Sequence, residues 1–190
     1  MLEKLVCAGF GGQGVMSMGR LVAQSAMEKG LEVSWLPSYG PEMRGGTANC
    51  HVIVSSTPIG SPVISLDATT IIAMNLPSMK RFESELVSGG LLIYNSSLIN
   101  EEPERSDIRC VPIAGNEIAA EVGTLKAANM VMLGAYTALV EVVCVAELVA
   151  GLRRMFGPSK EHFIPMNEGA LTRGYSAAER FIVPSGGKTT

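Results

Sequence analysis

Apolar and polar positions along the chain fall into short alternating or continuous runs separated by longer helical periods. Leu5–Ala8 is an apolar run that stops at glycines, and across Val15–Lys29 the residues Met16, Gly19, Leu21–Ala23 and Ala26–Met27 recur at helical spacing. Gly30 is a helix stop, and Leu31–Leu36, with β-branched Val33 and aromatic Trp35, reads as a strand ending at Pro37. These three pieces predict a βαβ unit with a right-handed crossover whose two strands pair parallel. Beyond the polar, glycine-laden segment Ser38–Gly46, Ala48–Val54 and Val63–Leu66 read as successive strands across a turn at Thr57–Pro62.

Ile71–Ala73 predicts a buried strand, Ser78–Leu86 a short helix, and Gly89-Gly90 a break before the strand Leu91–Asn95. The charged stretch Asn100–Asp107 is a surface loop, Arg109–Ile113 one more strand, and Glu117–Val122 the opening of a helical region. Ala127–Phe156 is apolar or small nearly all round and predicts two helices broken near Glu141–Val143, with Gly157-Pro158 as the stop. Ile164–Ser176 is a short helix and 185–190 a loose tail. The expected fold is a layered α/β/α domain over residues 1–190, with a mixed, largely parallel sheet and a Rossmann-like start.

Composition narrows the class. At 190 residues, 47% of them hydrophobic, one core is the expectation. With 15 Lys and Arg against 18 Asp and Glu, and no basic stripe, nucleic acid is not an expected partner. The amino terminus, Met-Leu-Glu-Lys-Leu-Val-Cys, runs straight into a strand-like segment without the marks of a signal peptide, so a cytoplasmic protein is expected. The apolar tract Met130–Ala150 is interrupted by Glu141 and Glu147. Each such charge would cost roughly 2.5 kcal/mol or more at the centre of a bilayer, which predicts burial in protein rather than a membrane span. Cys7, Cys50, Cys110 and Cys144 have apolar neighbours and no C-x-x-C spacing, so they read as small hydrophobes, not cluster or metal ligands.

Two segments could carry chemistry. Gly9-Phe10-Gly11-Gly12-Gln13-Gly14 lies between the first strand and the first helix, where glycines permit a sharp turn and the helix start offers unpaired N–H groups to an anion. It satisfies G-x-G-x-x-G. The dinucleotide fingerprint also needs an acid at the end of the second strand, which here ends Leu36-Pro37-Ser38. NAD is therefore disfavoured, although a free-standing dinucleotide-binding oxidoreductase stays open, as does a turn with a structural role only. The second segment, Ser38-Tyr39-Gly40-Pro41-Glu42-Met43-Arg44-Gly45-Gly46, should emerge at the same carboxyl edge. Tyr39 offers a stacking face, Glu42 an acceptor, and Arg44 a planar cation suited to phosphate or carboxylate, unless Glu42 and Arg44 pair with each other.

Weaker candidates are Asn75, Asn95 and Ser96 at strand ends, which are also ordinary turn residues. His51 and His162 have no metal-ligand partner at useful spacing, and no Ser-His-Asp or Cys-His set is legible. The stretch Asn129–Gly134, with Met130 and Met132, reads as helix core or a subunit contact.

The glycine run with Gln13, then S-Y-G-P-E-x-R-G-G at Ser38–Gly46, then Asn129-Met-Val-Met-Leu-Gly134 closely resembles, in order and across nearly the whole chain, the gamma subunit or domain of 2-oxoacid:ferredoxin oxidoreductases. The resemblance implies a complex that converts a 2-oxoacid and coenzyme A to acyl-CoA, carbon dioxide and reduced ferredoxin. It implies alpha, beta and delta-type partner subunits that hold thiamine diphosphate, magnesium and iron–sulfur clusters. This chain would carry no catalytic residue and no metal. Gly11, Gly12, Gln13 and Gly14 would face coenzyme A phosphates or a partner subunit, with Tyr39, Glu42 and Arg44 beside them. The acid is expected to be 2-oxoglutarate, with pyruvate-type, branched and indolepyruvate-type acids open, and a structural scaffold role is a further alternative.

Overall fold

A computed structural model of the chain describes residues 1–38 and 47–182. Among the described residues, β1 Leu2–Phe10, β2 Glu32–Ser38, β3 Thr47–Ser55, β4 Ala68–Ala73, β5 Leu86–Asn95 and β6 Arg109–Ile113 form one sheet in the order β2-β3-β1-β4-β5-β6. Strands β1, β4, β5 and β6 pair parallel, whereas β3 runs antiparallel to both of its neighbours. The helices are α1 Val15–Glu28, α2 Leu76–Phe82, α3 Gly115–Val122, α4 Ala128–Leu139, α5 Val145–Phe156 and α6 Ile164–Glu179. None of the described helices is long and apolar enough to cross a membrane.

Period-two alternation divides the core between the two faces of the sheet. Leu5, Cys7, Cys50, Val52, Ile72, Ile93 and Val111 point to one face, under α1 and α3–α6. Val6, Ala8, Ile53, Ile71, Ala73, Leu92 and Tyr94 point to the other, where only α2 and connecting segments cover them. The second helical layer is therefore thin. On the thick side α4 and α6 approach through reciprocal glycines. A Cβ at Gly134 would strike the Leu171 carbonyl, and one at Gly174 the Val131 carbonyl. At the far end of β1, Glu3 is buried (7% exposed) and accepts hydrogen bonds from the hydroxyls of Thr69 (2.8 Å) and Tyr136 (3.5 Å). Burial pushes its carboxyl up from the ordinary glutamate value.

Several expectations need correction. The predicted parallel pairing of the first two strands does not occur, because β3 lies between them. The burial of side chains explains the order. β3 buries Cys50, Val52 and Val54 toward one face and Ile53 toward the other, as an inner strand must. β2 is only partly buried and carries Pro37, which lacks an N–H and is tolerated at a sheet edge. Val63–Leu66 forms no strand, since only Ile64 inserts into the core while Val63 and Leu66 are exposed and Leu66 has a left-handed backbone. Gly89-Gly90 does not break the chain. Strand β5 begins at Leu86 and passes through the glycines with a register shift opposite Ala68 and Thr70.

The helix expected over Ser78–Leu86 ends at Phe82, followed by a 3-10 turn at Glu83–Glu85, and the last helix reaches Glu179. The break in the long apolar region falls at 140–144, close to expectation. Of the cysteines, Cys7 and Cys50 are buried opposite each other on β1 and β3, but Cys144 is exposed and caps α5, where its N–H donates to Glu147 (2.7 Å). Glu147 is thus a capping residue, which accounts for a carboxylate within an apolar tract. The tail expected at 185–190 lies outside the described residues.

Candidate functional site

The carboxyl ends of β1 and β4 form a topological switch point. The chain leaves β1 toward α1 on one face and leaves β4 toward α2 on the other, which opens a crevice between the two loops. Gln13 ties the loops together. Its Oε1 accepts from the Phe10 N–H (2.7 Å) and from Asn75 Nδ2 (2.9 Å), and its Nε2 donates to the Met74 carbonyl (3.4 Å). Asn75 also caps α2 by accepting the Ser78 N–H at 2.9 Å. Gly12 and Gly14 adopt left-handed backbones, with φ of 94° and 77°, and Gly14 starts α1 without a side-chain cap. A Cβ on Gly14 would run into the Asn129 carboxamide, so the first turns of α1 and α4 meet there.

A cleft of about 200 Å³ opens between them, lined by Gly12, Gln13, Met74, Asn116, Leu125, Lys126, Ala128 and Asn129. Asn95, at the end of β5, fixes its far wall by donating to Asn116 Oδ1 (2.8 Å) and accepting the Gly115 N–H (3.0 Å). Helix α4 continues directly from the 3-10 turn Leu125–Ala127, so its first N–H has a partner: Ala128 donates to the Leu125 carbonyl, and the Thr124 hydroxyl caps the turn by accepting the Lys126 N–H at 3.3 Å. One helix start without a side-chain cap, that of α1, thus flanks a cleft whose lining includes Lys126, which has no ion-pair partner among the described residues. Partial positive charge from the start of α1 and full charge from Lys126 suit an anionic group.

Of the residues expected to form the site, Gly12 and Gln13 line this cleft, Gly14 supports its floor against Asn129, and Gly11 lies exposed in the same turn. The amide of Gln13 is engaged by protein groups at both ends, which makes it the brace of the loop. Tyr39, Glu42 and Arg44 lie outside the described residues. The strands on either side of their segment end and begin at the expected edge. Ser38 pairs with Asn49 and Thr47 with Phe10, one residue before the glycine turn. Asn116, Lys126 and Asn129 were not legible as cleft residues, because they reach it from elements more than 100 residues beyond the glycine loop.

The remaining candidates have ordinary surroundings. His51 packs edge-on to Phe82 at 6.4 Å, and burial pushes its imidazole below the usual value. The dinucleotide reading loses further ground. With β3 inserted, the end of β2 stands two strand spacings from β1, about 9–10 Å, and offers Ser38 rather than a carboxylate.

Residues 4–177 match the pyruvate ferredoxin/flavodoxin oxidoreductase family. The chain belongs to that family. Among its relatives, the ketoisovalerate oxidoreductase subunit VorA of Methanothermobacter thermautotrophicus is 42% identical over 132 residues, covering 70% of this chain. The chain spans only 27% of the length of that relative. The 2-oxoglutarate synthase subunit KorC of Methanothermobacter marburgensis is 31% identical over 168 residues, 85% of this chain and 90% of KorC. Of solved structures, the gamma subunit of a keto/oxoacid ferredoxin oxidoreductase from Geobacter sulfurreducens superposes with a TM-score of 0.80 at 26% identity, over 93% of this chain and 98% of the other. A 2-oxoglutarate:ferredoxin oxidoreductase from Magnetococcus marinus, with 2-oxoglutarate, coenzyme A and succinyl-CoA bound, gives 0.85 at 25% identity, over 94% of this chain and 31% of that one. Within the family the chain is thus of the gamma type, and the expected mixed α/β fold agrees with these structures.

Proposed function

We propose that the chain is the gamma subunit of a cytoplasmic 2-oxoacid:ferredoxin oxidoreductase complex and that its cleft holds phosphate groups of coenzyme A. The observation that carries this is the convergence of the uncapped start of α1, the left-handed glycine turn and Lys126 on the switch-point cleft. Gly12 leaves the backbone open to a phosphate, Asn129 and Asn116 stand by as donors, and Gln13 holds the loop in shape. Arg44, with Tyr39 and Glu42, belongs to the segment that starts and ends at this edge, and we assign it to the same ligand. Thiamine diphosphate, magnesium and iron–sulfur clusters would sit in alpha, beta and delta-type partners and supply the decarboxylation and electron transfer to ferredoxin. This chain binds and orients the acyl acceptor, and contributes no catalytic group.

The relatives' names divide among ketoisovalerate, 2-oxoglutarate, indolepyruvate and pyruvate, with higher identity to the ketoisovalerate subunits than to the others. We therefore propose a 2-oxoacid without fixing its side chain, with branched, dicarboxylic, pyruvate-type and indolepyruvate-type acids all open. Tagging the chain in its own host and purifying it anaerobically should recover thiamine- and cluster-bearing subunits, and a panel of 2-oxoacids should then show which one drives coenzyme A-dependent ferredoxin reduction. A lone chain without those partners would sink the proposal. The engagement of Gln13 by Phe10, Met74 and Asn75 favours one second reading, in which the loop only shapes a subunit contact. That reading requires Lys126→Ala to leave coenzyme A use unchanged.

A further inference from the structure

The anion cleft is not closed on its outer side. A second hollow, of about 480 Å³, abuts it and is lined by Thr124, Lys126, Ala127, Phe156, Phe163, Met166 and Asn167. Lys126 borders both spaces, and Ala127 of the hollow is followed in the chain by Ala128 of the cleft. The first space carries the amides of Gln13, Asn116 and Asn129 beside Met74 and Leu125, and the second carries two aromatic rings and Met166 beside Thr124 and Asn167. Phe163 is 41% exposed at the mouth of this hollow, and Leu125, beside Lys126 in the chain, is 60% exposed.

The ring is held rather than loose. Phe156 meets it edge-on at 6.5 Å, His162 packs against it at 4.1 Å, and Asn167 donates to its backbone carbonyl at 2.7 Å. A fixed aromatic face beside a lysine and a polar cleft has the layout of a nucleotide site. The base of a nucleotide stands one sugar away from its phosphate, and these two spaces share Lys126 in their linings.

We propose that the hollow between α5 and α6 receives the planar base of a nucleoside phosphate whose phosphates occupy the cleft, with Phe163 as the stacking platform. The proposal rests on the reading that the cleft takes coenzyme A, and it assigns the adenine end of that ligand to Phe156, Phe163 and Met166. Base–aromatic stacking tolerates any flat heterocycle, while Lys126 at the junction selects for a phosphate beside it.

The test is calorimetric binding to the purified complex of three probes, coenzyme A, adenosine 3′,5′-bisphosphate and inorganic pyrophosphate, with wild type, Phe163→Ala, Phe163→Tyr and Lys126→Ala. Phe163→Ala should weaken coenzyme A and the bisphosphate by about tenfold, the order expected for loss of one stacked base. It should leave pyrophosphate unchanged, and Phe163→Tyr should restore wild-type affinity. Lys126→Ala should weaken all three. If Lys126→Ala weakens coenzyme A while Phe163→Ala does not, the cleft reading stands and the base site is overturned. If neither variant changes coenzyme A binding, the cleft reading itself fails. Equal loss of pyrophosphate and bisphosphate in Phe163→Ala would mean that the ring only supports the fold, which also overturns the base site.

Discussion

Gly12 and Gly14 lie two residues apart in one turn, yet substituting each should produce a different defect. Both have left-handed backbones, which cost an alanine roughly 1–2 kcal/mol. Nothing lies within 4 Å of a Cβ built on Gly12, so Gly12→Ala adds no packing penalty. For a chain of this size roughly 1–2 kcal/mol lowers Tm by about 2–8 °C. A Cβ on Gly14 meets the buried side chain of Asn129, and overpacking adds about 1–3 kcal/mol, for a total of about 2–5 kcal/mol. Function should run the other way. The methyl of Gly12→Ala stands at the mouth of the cleft and holds a phosphate off the backbone, so coenzyme A affinity of the assembled complex should fall about tenfold or more, as for loss of a charge-assisted hydrogen bond. Thermal unfolding of the expressed chain and calorimetric titration of the complex separate the two effects. Unchanged coenzyme A affinity in Gly12→Ala would refute the cradle, and an unchanged Tm in Gly14→Ala would refute the contact with Asn129.

Three other outcomes are expected. Arg44→Ala should raise the apparent KM for coenzyme A several-fold without loss of subunits from the purified complex, and the effect should shrink at high salt as screening weakens the wild-type contact; an unchanged KM removes Arg44 from the site. Glu3→Gln keeps partners for Thr69 and Tyr136 while removing a buried charge. Because burial raises the folded-state pKa of Glu3 above 4.5, its favourable contribution is complete below pH 4.5 and is lost as pH rises through the folded value. Urea unfolding should therefore find Glu3→Gln more stable than wild type at pH 7.5, with the gap closing toward pH 4.5; a less stable variant at pH 7.5 contradicts this. Gly134→Ala should cost about 3 kcal/mol or more, because its methyl meets the backbone of α6 and no side chain can swing away. Adding Gly174→Ala should cost less than the sum of the single changes, since one separation of α4 from α6 relieves both contacts.

The sequence carries local conformation more fully than it carries neighbours. The glycine stop after β1, the period of α1 and the break between α4 and α5 depend on residues close in the chain, and they were readable. Strand order was not, because Thr47–Ser55 has the same apolar look whether it stands beside β1 or at an edge. Two cues did point to its place. Pro37 marks β2 as an edge strand, and the connection over residues 39–46 is short enough for an antiparallel hairpin, whereas a parallel partner needs a crossover of about a dozen residues or more. Val63–Leu66 misled because a short apolar run need supply only one core residue, Ile64, from an irregular segment.

The candidate site divides along the same line. Gly12, Gln13 and Gly14 announce a turn at a helix start, and such a turn can be found from spacing alone. What changes that turn from a structural feature into a cleft is the arrival of Asn116, Lys126 and Asn129 from α3, the following 3-10 turn and α4. Their types are unremarkable in sequence, and Asn129 in particular sits in an apolar stretch that reads as helix core. It is also buried to 9% exposure in the structure, so both readings of it are compatible. The close approach of Gly14 to Asn129 links the two halves of the site. A side chain at Gly14 would force α4 away from α1, and the uncapped start of α1 would no longer share one space with Asn129. The glycine is thus required by packing between helices as much as by the turn itself, which is why the spacing of the motif could not by itself distinguish an anion cradle from a tight turn.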